Sequence, residues 1–140
     1  MEAIDHLDLV VSDLERSLGF YSALLEPLGY VRRSEIEGER GEPVVYVGRR
    51  GGYGSLSVRE RQSDAHEVPY DRYGIGIHHI AFAAPDRDAV DERAEWLRAE
   101  GVEIESGPQE YGYSRGYYAV FFYDPDGIKL EIVHAPSEAE

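Results

Sequence analysis

Three side chains able to hold a metal stand at related places in this sequence: His6, His79 and Glu131. His6 lies in Ile4-Asp5-His6-Leu7-Asp8-Leu9-Val10-Val11 and His79 in Ile77-His78-His79-Ile80-Ala81-Phe82-Ala83-Ala84, and a helix-like segment follows each stretch. The two histidines therefore occupy equivalent places 73 residues apart, and aligning Leu56 and Val58 with Leu130 and Ile132 gives an offset of 74. If the copies pack face to face, two imidazoles and one carboxylate on separate strands make a three-ligand set. Such a set leaves positions for water or a chelating substrate and suits Fe2+, Zn2+, Ni2+ or Mn2+. Spacing alone equally accommodates two histidines that tip strand ends and a solvated strand carboxylate. Glu131 has no acidic counterpart in the first copy, because the aligned position is Ser57.

The other chemistry-bearing residues divide by position. His78 adjoins His79, and alternation along a strand predicts that only one of them points into a shared site, with the repeat favouring His79. His66 and His134 are expected at the surface. Tyr111, Tyr113, Tyr117 and Tyr118, with Arg115 among them, suit a pocket for a polar aromatic or carboxylated ligand. Tyr117 and Tyr118 lie in a β pattern where packing is the commoner role, whereas Tyr113 and Arg115 fall in a loop.

The elements that would position these groups follow from periodicity. Period-two alternation makes a strand of Ile4 to Val11, with His6, Asp8 and Val10 on one face. Ser12-Asp13-Leu14-Glu15 fits a capping box, and Leu14, Leu18, Tyr21, Leu25 and Leu28 mark one helix face ending near Gly29. Strands are predicted at about Tyr30 to Ile36, Pro43 to Val47 and Gly54 to Val58, and an aperiodic loop covers 61–74. The second half repeats the plan. A strand from Ile77 to Ala84 precedes a helix capped by Asp86, bearing Val90, Ala94 and Leu97 and closed by Gly101. A short strand from Val102 to Glu105 follows, then a hairpin of Tyr117 to Phe122 and Ile128 to Val133 around Asp124-Pro125-Asp126-Gly127.

Composition narrows the function. A length of 140 residues suits one domain with its own core, divided into half-modules of about 1–60 and 75–136. With 42% hydrophobic and 30% charged residues, the chain has globular composition. The net charge of −14 argues against nucleic acid and anionic membranes as partners, since both select cationic surfaces. The lack of cysteine excludes disulfides, thiolate metal sites and a cysteine nucleophile. The sequence enters a strand pattern without a signal-peptide profile, so a cytoplasmic location is expected.

Ile4-Asp5-His6-Leu7 with Asp13-Leu14-Glu15-Arg16-Ser17 and Phe20-Tyr21, then His78-His79-Ile80-Ala81-Phe82, then Asp124-Pro125-Asp126-Gly127 with Leu130-Glu131, resemble the vicinal oxygen chelate superfamily across nearly the whole chain. The resemblance implies an α+β fold of paired βαβββ modules forming a curved, cleft-bearing mixed sheet with flanking helices. It implies a divalent metal held by His6, His79 and Glu131, and a homodimer in which a site can combine halves of two subunits. Members include lactoylglutathione lyases, methylmalonyl-CoA epimerases, extradiol dioxygenases, fosfomycin-resistance transferases and metal-free bleomycin-binding proteins. The implied function is a metal-dependent lyase or isomerase, or a dioxygenase, acting on a small oxygen-chelating substrate, with Glu131 as ligand and proton acceptor. Asp8, Ser57, Tyr113, Arg115 and Tyr118 are the expected substrate-binding residues. The lyases and epimerases usually carry Glu or Gln at the fourth ligand position, where this chain has Ser57 or a near neighbour, and a serine hydroxyl is a poor ligand. Fosfomycin enzymes carry a small hydroxyl residue where Asp8 stands, and a carboxylate there would repel a phosphonate. The alternative from another class is a bleomycin-resistance-like binding or sequestration protein.

Overall fold

The strand that carries His6 alternates between side chains that enter the core beneath its helix and side chains on the opposite face of the sheet. In the computed structural model, which describes residues 4–52, 54–66 and 68–136, β1 (His6–Val11) buries Leu9 and Val11 while His6, Asp8 and Val10, on its other face, are exposed. Tyr53 and Glu67, the latter within the expected 61–74 loop, lie outside the described residues, as do both chain ends. The chain divides into two compact units, Met1–Val68 and Pro69–Glu140.

In the first unit β1 is followed by α1 (Leu14–Leu25), a 3-10 turn (Glu26–Leu28), β2 (Tyr30–Glu37), β3 (Pro43–Arg49) and β4 (Ser55–Glu60). The sheet order is β1-β4-β3-β2, with β1 parallel to β4 and the other pairs antiparallel. The helix starts at Asp13 rather than in a Ser12 capping box. The Asp13 carboxylate accepts from the Arg16 N–H at 3.0 Å, and Glu60 of β4 accepts from the Leu14 N–H at 2.9 Å. Two acceptors thus satisfy N–H groups that the helix leaves open. Leu18, Tyr21, Leu25 and Leu28 are buried as the spacing predicts, and Leu18 packs on Val45 and Val47 with Leu14 and Tyr30 alongside.

The second unit repeats the order: β5 (Ile80–Ala83), α2 (Arg87–Ala99), β6 (Ile104–Glu110), β7 (Tyr118–Tyr123) and β8 (Lys129–His134), in sheet order β5-β8-β7-β6. Asp86 caps α2 by accepting from the Ala89 N–H at 2.8 Å, and Val90, Ala94 and Leu97 are fully buried. Each unit is therefore a βαβββ module, and the fold is α+β. The ladders also fix the repeat, since Leu7 pairs with Leu56 and Ile80 with Leu130. Ser57 and Glu131 are thus equivalent, at the offset the sequence alignment gives.

The expected strand bounds shift by one or two residues in most strands, and by more in two. β5 starts at Ile80 rather than Ile77, so His78 and His79 precede it. β6 runs to Glu110 rather than stopping at Glu105, because irregularities between Ile104 and Ser106 and between Ser106 and Gln109 carry it past Gly107 and Pro108. Gly107 has φ of 85°, and a Cβ there would stand 2.4 Å from the Ala119 carbonyl oxygen, so the strands meet where only glycine fits. Among the described residues no helix is long and apolar enough to cross a membrane.

Candidate functional site

The parity of β8 sends Leu130 and Ile132 into the core and Glu131 to the other face, opposite Phe121 of β7. There the second unit has a cavity of about 390 Å³ whose lining includes His78, His79, Tyr117, Phe121, Lys129 and Glu131. Glu131 is only 1% exposed, yet both carboxylate oxygens are engaged. Oε1 lies 3.1 Å from His79 Nε2, and Oε2 accepts a hydrogen bond from the Tyr117 hydroxyl. A buried carboxylate without such partners would carry a large desolvation cost. Burial first, and then the bond to Glu131, push the Tyr117 phenol above its ordinary range, so it remains a donor at neutral pH.

His79 is held on its other side as well. Its Nδ1 lies 2.8 Å from His78 Nδ1, and its ring meets Phe121 edge-on at 6.0 Å. The expectation that His78 faces away from His79 is therefore corrected. Strand alternation does not apply to two residues that precede β5. Partial desolvation at the cavity rim, with His79, Lys129 and Arg72 nearby, lowers the His78 pKa below the usual imidazole range.

The tyrosines separate. Tyr113, 68% exposed, stacks on Tyr111 with centroids 5.4 Å apart and meets Tyr117 edge-on at 5.1 Å, so it borders the cavity. Tyr118, three residues from Phe121, lies on the opposite sheet face. Its hydroxyl donates to Asp91 of α2 at 2.6 Å, and Arg87 stands 4.8 Å from its ring. Arg115 is exposed in the preceding turn and is not among the cavity's lining residues. His134 lies 3.4 Å from the Ala84 carbonyl through Nδ1, and His66 is exposed. Lys129, Glu105 and Ser106 line the cavity although no motif in the sequence singles them out, and Tyr117, whose β pattern suggests packing, lines it too. Lys129 donates to Glu105 at 2.7 Å and lies 4.8 Å over the Phe121 ring. Its spacing of two from Glu131 is the signal that places it on the same face.

In the first unit, His6, Asp8 and Ser57 share a face, with Asp8 opposite Ser57 in the ladder. His6 Nδ1 donates to the Asp5 carboxylate at 2.8 Å, and the ring lies 5.8 Å from Tyr46. Arg59 forks onto Asp8, with Nε donating to Oδ1 at 2.9 Å and Nη2 donating to Oδ2. That bond raises the Arg59 pKa, and Glu42 approaches it at 3.8 Å. The charge at Asp8 is therefore paired with Arg59, which weakens its repulsion of an anionic ligand. Ser57 is buried, and its hydroxyl donates to the Leu7 carbonyl at 3.3 Å.

Among the described residues no three His, Asp or Glu side chains group closely enough to hold a metal. The His79 and Glu131 pair nevertheless fits two neighbouring positions of one coordination sphere. Two donors each about 2.1 Å from an ion and at right angles are about 3 Å apart, and the observed separation is 3.1 Å.

The model of the Glyoxalase/Bleomycin resistance protein/Dioxygenase superfamily matches residues 3–132. The uncharacterized protein YqjT of Bacillus subtilis is 34% identical over 94% of this chain and 98% of its own length. A lactoylglutathione lyase of Pseudomonas aeruginosa is 32% identical over 97% of this chain and 84% of its own length. Among solved structures, the glyoxylase/bleomycin resistance protein/dioxygenase domain from Frankia sp. EAN1pec superposes with a TM-score of 0.74 at 21% identity, over 97% of this chain and 99% of that one, which shows a shared fold. This chain belongs to the Glyoxalase/Bleomycin resistance protein/Dioxygenase superfamily, the vicinal oxygen chelate superfamily its motifs resemble.

Proposed function

We propose that this chain is a divalent-metal-dependent lyase or isomerase acting on a small substrate that offers neighbouring oxygens, with His6, His79 and Glu131 as the metal ligands. The observation that carries the reading is Glu131. A carboxylate 1% exposed, at the edge of a cavity and 3.1 Å from an imidazole nitrogen, is what a ligand pair requires. His6 occupies the equivalent place of the first module, with Nδ1 bound to Asp5 and Nε2 left as the ligating atom. It completes the set from the first module of the same chain or of a partner in a homodimer. Mixing His6→Ala with His79→Ala subunits decides which: partial recovery of metal binding assigns the ligands to two chains. No recovery despite subunit exchange assigns them to one.

The metal, when bound, supplies Lewis acidity toward substrate oxygens. The chain's own groups do the rest. Glu131 accepts a proton from the substrate carbon, and the Tyr117 hydroxyl, hydrogen-bonded to Oε2, stabilises the carboxylate between transfers. Tyr111 and Tyr113 present a stacked pair that suits a planar or unsaturated group, and Lys129 adds a cation for a carboxylated one. The lactoylglutathione lyase among the relatives supports this reaction class, and the expected setting is the cytoplasm. Anaerobic turnover of a hemithioacetal panel by metal-loaded protein tests it, and loss of turnover in Glu131→Gln is the expected result.

A second reading, an extradiol-type dioxygenase, is favoured by Ser57. Its hydroxyl is committed to the Leu7 carbonyl, which leaves three ligands rather than four. Oxygen consumption with a catechol panel would select that reading. Purified protein that takes up no divalent metal yet binds an aromatic ligand would instead make the chain a sequestration protein of the bleomycin-resistance kind.

A further inference from the structure

The two candidate ligand histidines are each gripped at Nδ1 by the side chain of the residue just before them. Asp5 holds His6 at 2.8 Å, and His78 holds His79 at 2.8 Å. Asp5 and His78 are themselves repeat equivalents at the same 73-residue offset as the histidines. We propose that His78 is a positioning residue that fixes the ring and tautomer of His79 so that Nε2 faces Glu131 and the cavity, as Asp5 does for His6.

The geometry supports the role from several sides. His78 and His79 precede β5, so no ladder hydrogen bonds orient them. The segment is pinned instead by the Tyr70 hydroxyl, which lies 2.8 Å from the Ile77 carbonyl oxygen and 3.0 Å from that of His78. The His78 ring is buttressed edge-on by Tyr73 at 5.4 Å. An imidazole that ligates through Nε2 must carry its proton on Nδ1, and that proton needs an acceptor. His78 Nδ1 supplies one when its own proton sits on Nε2. The two grips differ chemically. The Asp5 carboxylate, when ionised, can only accept. The imidazole of His78 can accept or donate at Nδ1, so it holds the Nδ1 proton of His79 only in the tautomer that carries its own proton on Nε2.

The proposal rests on the metal reading above, and its test separates the two. Co2+ is titrated into protein stripped of metal and followed by its visible absorption, for the wild type, His78→Ala and His78→Asp, with circular dichroism to confirm folding. His78→Ala should weaken Co2+ binding about 10- to 100-fold, as the loss of such an outer partner does elsewhere. His78→Asp, which copies Asp5, should restore the affinity to the wild-type value or better. Equal affinities in wild type and His78→Ala, or no rescue by aspartate in a folded variant, would overturn the proposal. The ring nitrogens of His79 are also read by 15N NMR in metal-free protein, where His78→Ala should move the Nδ1 resonance. If wild type binds no Co2+ the metal reading fails, and the NMR result alone then decides whether His78 positions His79. An unmoved resonance overturns that as well.

Discussion

Replacing Tyr117 by Phe removes one oxygen and little else. The ring stays against Tyr113, and no cavity opens in the core. The hydroxyl donates to Glu131 Oε2, while Oε1 keeps His79. A hydrogen bond to a charged acceptor contributes about 1.5–3 kcal/mol, and water entering the cavity can replace part of it, so Tyr117→Phe should cost about 1–2 kcal/mol. With a urea m-value of roughly 2 kcal/mol/M, the unfolding midpoint at pH 7 should fall by about 0.5–1 M. The bond also sets a pH dependence. The phenol's folded pKa is raised, chiefly by burial and then by Glu131. Its stabilising contribution is therefore fully present below the unfolded value of about 10 and is lost as pH rises above it toward the folded value. The wild type should accordingly lose stability above about pH 10 more steeply than Tyr117→Phe. A midpoint shift below about 0.2 M, with parallel alkaline limbs, would refute the claim that this hydroxyl helps satisfy Glu131.

Other expectations follow from packing and charge. Leu97→Ala, at a fully buried position of α2, should cost about 2–5 kcal/mol in urea unfolding and leave metal affinity of the folded protein unchanged. Gly107→Ala should destabilise by more than about 1 kcal/mol, because the new Cβ would meet the Ala119 carbonyl at a positive φ. Gly19→Ala, on the exposed side of α1 with open space around it, should instead stabilise by about 0.5–1 kcal/mol. Hydrogen bonds from Lys129 and then Tyr123 hold the Glu105 carboxyl below its ordinary range. That stabilisation is present above the unfolded carboxyl pKa and disappears as pH falls through the lower folded value. Urea midpoints between pH 3 and 6 should therefore fall less steeply in Lys129→Met than in the wild type.

The residues most legible in the sequence were those whose signal is local. Asp13 and Asp86 announce helix starts because a short acceptor before an apolar period has few other uses, although the choice between Ser12 and Asp13 depended on which side chain reached the Arg16 N–H. The offsets of 73 and 74 were readable because alternating strands keep their parity in both copies, and the ladders reproduce them. What escaped depends on where strands begin and on pairs distant in sequence. His78 joined His79 because β5 starts one residue after them. Tyr118 turned to α2 because it lies an odd number of residues from Phe121, the partner of Glu131. Asp8 and Arg59 meet across β1 and β4, 51 positions apart, where periodicity within either strand says nothing of the other.

The central claim is that His6, His79 and Glu131 together hold one metal ion, and equilibrium dialysis of metal-stripped protein against Mn2+ tests it most directly. Wild type should bind one ion per chain, and His6→Ala, His79→Ala and Glu131→Ala should each weaken binding at least about 100-fold while remaining folded. A wild type that binds no Mn2+, Zn2+, Ni2+ or Fe2+, or a His6→Ala variant that binds as tightly as wild type, would contradict the account.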